Sequence, residues 1–310
     1  MVGLISSCNS SKKTVTLSSA ISFASVEQAK KALVQEDDVT KSWSQFDLDA
    51  RVQKAGATKQ ELLDLIQSSV IAWKKEEEAM VKTIIEDIEA VITKENFYLP
   101  IPEEILIVKT NMDEEGGALG YTRANYIILS EEAFAKDSMT LKYLITHELF
   151  HILSRNDADF KKAMYAMIGF TITQPITFPD SLAALKITNP DAPLIDAYLQ
   201  LNTPDSIQDC AMILFSDRTW EGGSFFDYLN IVFVQLEGKE TKSIALREGK
   251  PVFYLFNEVS NFLEQVGTNT QYIIHPEEIL ADNFTEVIIG NAEVPDKWLI
   301  DEMKAYLISE

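Results

Sequence analysis

From residue 25 onward, apolar side chains recur every third or fourth position, the spacing of a helix with one buried face. Ser25-Val26-Glu27-Gln28 reads as a capping box, with Ser25 at the cap and Gln28 three residues later. Trp43, Phe46, Leu48 and Val52 predict a second helix, and Gly56 breaks the pattern. Thr58 and Glu61 repeat the capping signal ahead of Leu62, Leu65 and Ile66. Over residues 69–94, Val70, Trp73, Met80, Val81, Ile84, Ile88, Val91 and Ile92 predict one long helix, with Trp73 in the core and a solvated Lys/Glu face.

Beyond Pro100 and Pro102 the period shortens. Residues 105–108 read as a buried strand, residues 114–117 as a turn, and residues 119–122 and 126–129 as two further short strands. Helical spacing returns over 140–154 and 157–167, and a Pro-rich irregular segment covers 174–193. Strand-like runs at 228–236 and 243–255 flank a turn at Glu237-Gly238-Lys239, and helices follow over 258–266, 276–289 and 296–308. No regular βαβ alternation emerges, so the expected class is α+β, predominantly helical, with a small sheet and an added N-terminal helical region. The expected organisation is a leader or tether over 1–24, a helical region over 25–97, and a main domain over 98–310 with an insertion around 174–255.

Composition sharpens this picture. Gly (12) and Pro (10) make up only 22 of 310 residues, about 7% against roughly 12% in average usage, which favours long helices over a turn-rich barrel. Forty-eight acidic residues against 27 basic ones give a net charge of −21, the wrong sign for a nucleic-acid partner. No apolar run is long enough for a transmembrane helix. Of the two cysteines, Cys210 reads as a buried thiol, and the pair cannot build a disulfide framework. Cys8 follows Leu4-Ile5-Ser6-Ser7 and precedes a polar stretch over 9–19, which resembles the end of a bacterial lipoprotein leader. Only seven residues precede Cys8, too few for a basic start and an apolar stretch. The sequence thus leaves two localisations open: the cell envelope, with a lipid anchor at Cys8, or the cytoplasm with an ordinary terminus.

Candidate chemistry lies in His147-Glu148-Leu149-Phe150-His151, an HExxH sequence inside a segment that is independently helical. Positions i and i+4 share a helix face, so two imidazoles can meet one metal ion while Glu148 stays beside them as a general base. In a second helical segment, opened by Pro276, Glu278 and Asp282 also stand at i and i+4. Two like charges one turn apart cost a bare helix about 0.2–0.5 kcal/mol, and a cation with a His N–H would compensate both. The bland alternative is two packed helix histidines with Glu148 in solvent.

Together these residues resemble the gluzincin group of zincin metallopeptidases, in which HExxH supplies two ligands and a downstream ExxxD helix supplies a third. The resemblance covers about residues 105–289. It implies His147 and His151 as ligands, Glu148 as the general base, Glu278 as the third ligand and Asp282 as the carboxylate orienting a His ligand. It further implies one zinc ion per chain, a peptide or protein substrate, and residues 126–129 as the edge strand that pairs with it. Residue 278 lies 127 positions after His151, more than in compact members of the group, so an inserted subdomain is expected. His275 competes with Glu278 for the third position, although ExxxD accounts for two residues at once and His275 could instead stabilise an oxyanion. Tyr272, Tyr254 and Arg123 are further candidates for that role, Glu277 is assigned to the surface, and the turn Asn189-Pro190-Asp191-Ala192-Pro193 could border the cleft. A different class, a zincin-like binding protein with a structural metal or none, fits the same pattern less well, because a structural site needs no general base.

Overall fold

The computed structural model describes residues 15–308, so the Cys8 reading lies outside the described residues. Thr16 caps the short helix α1 (Leu17–Ala20), which runs directly into strand β1 (Ile21–Phe23). Leu17 and Ala20 are buried, and β1 pairs in parallel with β2 (Ile105–Thr110). Residues 17–23, expected to belong to a tether, are therefore built into the fold, with Leu17 and Ala20 in the core.

Capping boxes start α2 (Val26–Leu33), α3 (Asp38–Ser42), α4 (Gln45–Val52) and α5 (Lys59–Ser69), those of Ser25 and Thr58 as expected from sequence. The single helix expected over 69–94 is interrupted. Val70 forms an antiparallel bridge with Thr110, and Ile71 N donates to Lys109 O, so the chain runs extended along β2 before α6 (Lys75–Glu95) begins. Trp73, in that link, is only half-buried, edge-on to Phe23 and Phe134. Nor does residue 97 mark a break in packing, since Val81, Ile84 and Ile88 share a core with Ile105 and Leu149. Arg51 adds a polar tie: its guanidinium lies between Asp47 (2.6 Å) and Glu115 (2.9 Å) and donates to Thr188 O.

Strands β3 (Gly120–Arg123) and β4 (Tyr126–Ser130) form an antiparallel hairpin, and the first sheet has the order β1-β2-β4-β3. The expected edge strand over 126–129 is thus interior. The tight turn at Ala124-Asn125 folds β3 back outside β4, and the free edge belongs to Gly120–Arg123. Against this hairpin packs α7 (Ser138–Asn156), followed by α8 (Ala158–Met167).

The segment expected as an insertion lies in a second, antiparallel sheet. Its elements are β5 (Thr171–Ile172), the short helix α9 (Asp180–Ala183), β6 (Ala197–Asn202), β7 (Ile207–Phe215), β8 (Asn230–Glu237) and β9 (Ser243–Ile244). A small ribbon of β10 (Leu246–Arg247) and β11 (Lys250–Pro251) follows, then β12 (Phe253–Tyr254). The sheet order is β12-β8-β7-β6-β5, with β9 also on β8. Leu199, Cys210 and Phe233 on one face join Phe150 and Phe284 in the main core, while Ala211, Ile213 and Val232 pack under the other face. Cys210 is buried as expected, and burial pushes its thiol up to about 12. The chain closes with α10 (Phe262–Val266), α11 (Pro276–Ile289) and α12 (Lys297–Ile308). Helix α10 starts later than expected because residues 256–258 form a separate 3-10 turn. Helix and sheet are thus mixed, as an α+β class requires, and among the described residues no helix is long and apolar enough to cross a membrane.

Candidate metal centre

Helices α7 and α11 supply the chemistry, and local sequence fixes both. Asp137 caps α7 by accepting from Met139 N and Thr140 N, and Leu141, Ile145, Leu149 and Leu153 anchor it in the core. Pro276 occupies the first turn of α11, and Gly290, at φ 78°, ends it in the left-handed conformation. The two helices pack together, with Phe150 against Phe284.

Their contact brings His147, His151 and Glu278 close enough to hold a metal ion, with ligand atoms all within 4.8 Å of one another. Glu278 Oε2 lies 3.0 Å from His147 Nε2 and 3.5 Å from His151 Nε2. Two ligand atoms on a tetrahedral zinc ion, each about 2.0–2.1 Å from it, stand about 3.3 Å apart, so these separations suit the ion. Two atoms reinforce the fit. His151 Nε2 and Glu148 Oε2 are buried without a hydrogen-bond partner, and a cation beside a water would satisfy both.

Each imidazole is oriented through its other nitrogen. Asp282 Oδ1 lies 2.8 Å from His147 Nδ1, and its second oxygen accepts from the Thr270 hydroxyl. Glu277 Oε1 lies 3.4 Å from His151 Nδ1, while its Oε2 accepts from Tyr165 (2.7 Å) and Ser154 (3.0 Å). Glu277, expected at the surface, is buried: a position one residue before Glu278 turns toward α8 and His151 rather than toward solvent. Glu278 Oε1 in turn accepts from Asn189 Nδ2 at 2.6 Å.

The electrostatics follow from this crowding. Burial works against a charged His147, but hydrogen bonds to Asp282 and Glu278 outweigh it and lift its pKa to about 10. Burial likewise opposes charge on His151, and Glu278 and Asp191 raise it well above the ordinary value. Glu278 is buried too, yet His151 and His147 hold it well below the usual carboxylate range. Protons on the two imidazoles thus balance the carboxylates, and a divalent cation can replace them. Glu148 is pushed up to about 8, by burial first and by Asp191 second.

A cleft of about 600 Å³ opens beside Glu148, walled by Gly120, Met139, Leu144, Phe226 and Tyr272. The Tyr272 ring is half-exposed, 6.2 Å from that of His147. Burial of its hydroxyl end, together with Glu278 and Asp191, pushes its pKa up, so it keeps its proton. The other candidate stabilisers lie elsewhere. His275 is the cap of α11, its Nδ1 accepting from Glu277 N, and burial lowers its pKa to about 4. Tyr254 donates to Gln235 in the second sheet, and Arg123 is paired with Asp37 and Leu33 O. Of the two candidates for the third ligand, Glu278 faces both imidazoles and His275 does not.

The 189–193 turn does border the cleft. Asn189 holds Glu278, and a ligand atom of Asp191 lies within 4.8 Å of those of Glu148 and His151. The sequence places the 189–193 turn at the cleft border but gives Asn189 and Asp191 no specific role there, and it gives none to Glu277 or Tyr165. No protein-family model, curated protein or solved structure matches the chain.

Proposed function

We propose that the chain is a zinc-dependent peptide hydrolase of the gluzincin type. One observation carries this reading: three metal donors converge beside Glu148, whose Oε2 is buried without a hydrogen-bond partner and whose side chain borders an open cleft. His147, His151 and Glu278 would hold the ion, with Asp282 and Glu277 keeping each Nδ1 occupied so that each Nε2 stays free for it. Zinc, when bound, supplies Lewis acidity that acidifies water and polarises a carbonyl. Glu148 Oε2 takes the proton from the attacking water and delivers it to the leaving amine. Tyr272, protonated on the cleft wall with its ring 6.2 Å from that of His147, would donate to the carbonyl oxygen.

Glu148→Gln tests the assignment. The variant should keep its zinc and lose peptide cleavage; undiminished cleavage would remove Glu148 as the base.

A further inference from the structure

Loop 189–193 covers one end of the outer strand of the first sheet, beside Glu148. Ser130 N donates to Leu119 O, so in the β3–β4 register residues 119, 121 and 123 bond to β4, while residues 120 and 122 turn their main-chain groups outward. Gly120 faces the cleft so closely that a Cβ there would stand 2.9 Å from Glu148 Oε1. The outward N–H of Thr122 is already taken: it donates to Asp191 Oδ1 at 2.6 Å, and the Thr122 hydroxyl donates to the same oxygen at 2.7 Å.

Loop 189–193 is fastened in this position. Arg155 donates to Asp191 O, to Thr122 Oγ1 and to Ala124 O, and Asn189 accepts from Asp191 N while donating to Glu278. An extended peptide adding to β3 therefore finds its pairing groups at Gly120, whereas at Thr122 the N–H is taken and loop 189–193 lies against the edge. Such a chain has to end within about a residue of the reacting centre, against the Asp191 carboxylate. Both hydrogen bonds to that carboxylate fall on Oδ1, which leaves Oδ2 to accept from an incoming donor. Asp137, Glu148, Asp191 and Glu278 line the cleft with His147, and among the described residues no Lys or Arg does. Placed against Asp191 rather than against the metal donors, a terminal carboxylate would be repelled, whereas an α-ammonium finds an acceptor of opposite charge.

Resting on the metallopeptidase reading, we propose that the enzyme is an aminopeptidase in which Asp191 binds the free α-ammonium of the substrate. Hydrolysis forms a C–O bond from water to the carbonyl carbon of the first residue and breaks its C–N bond. Glu148 carries the proton to the departing amine, releasing one amino acid and a peptide shorter by one.

The test uses one peptide in two forms, with a free or an acetylated amino terminus. Binding is measured by calorimetry on zinc-loaded Glu148→Gln protein, alone and combined with Asp191→Asn. The free form should bind about tenfold or more tightly than the acetylated one, and Asp191→Asn should abolish the preference. Mass spectrometry of wild-type digests should show stepwise loss of N-terminal residues from the free form and none from the acetylated form. Internal cleavage of the acetylated peptide at a comparable rate would overturn the proposal while sparing the peptidase reading. Equal binding of both forms, with neither cleaved at one zinc per chain, would remove both. The wild-type digests decide the matter even if the Asp191 variant fails to fold.

Discussion

Replacing Glu277 by Gln should weaken zinc binding without unfolding the protein. Glu277 Oε2 accepts two hydrogen bonds, from Tyr165 and Ser154, and its Oε1 faces His151 Nδ1. A glutamine keeps the carbonyl oxygen where two donors meet it, which puts its NH2 group against Nδ1. His151 must then offer a lone pair at Nδ1 and carry its proton at Nε2, the atom that faces Glu278 and would bind the metal. Outer partners of ligating histidines are worth about 10–100-fold in metal affinity, or about 1.4–2.7 kcal/mol. The His151–Glu277 contact is long, at 3.4 Å, which sets the expected loss near the lower end. Asp282→Asn applies the same inversion to the 2.8 Å contact of His147 and should cost more. Competition titration against a chromophoric chelator measures both, with exposed Glu264→Gln as the control and circular dichroism as the check on fold. Unchanged affinity in folded Glu277→Gln and Asp282→Asn would refute the orienting role of these carboxylates.

Two further perturbations test how the frame is held. Arg51→Ala strands the buried carboxylates of Asp47 and Glu115, so chemical denaturation should show a loss of about 3–5 kcal/mol, and a loss below about 1 kcal/mol would mean that the tie is dispensable. His275 stays neutral in the fold, with its pKa lowered by burial from 6.5 to about 4. A depressed pKa contributes stability that is present above 6.5 and lost as pH falls toward 4, up to about 3 kcal/mol in total. His275→Asn keeps an acceptor at the cap, so its stability should fall less steeply than wild type across that window at matched metal loading; parallel curves would contradict the burial argument.

What sequence discloses here is what is local. Helix α11 has the bounds expected of it because Pro276 and Gly290 mark its ends by backbone geometry alone. Ser25 with Gln28 and Thr58 with Glu61 are legible for the same reason, each pairing residues three apart. HExxH and ExxxD are legible because helical spacing alone puts each pair on one face. Strand order is a different matter. Nothing in residues 120–130 says which arm of the hairpin lies outside, and the periodicity across Val70 hides the bridge to Thr110 that stops the helix. The sequence predicts no strand at β6 or β7, although β6 alternates buried and outward residues. From Cys210 onward β7 is covered on both faces, so its pattern there is a continuous apolar run without a period. The contacts of Asn189 with Glu278 and of Asp191 with Thr122 cross 89 and 69 residues, and they arise only once the second sheet is in place.

The central claim is a metal held jointly by α7 and α11. Elemental analysis of protein purified without chelators or metal-affinity resin, run beside Glu278→Ala and His275→Ala, tests it most directly. The account predicts about one zinc per chain in wild type and in His275→Ala, and loss of the metal in Glu278→Ala. Wild-type protein that holds no metal even after zinc is added back would contradict it.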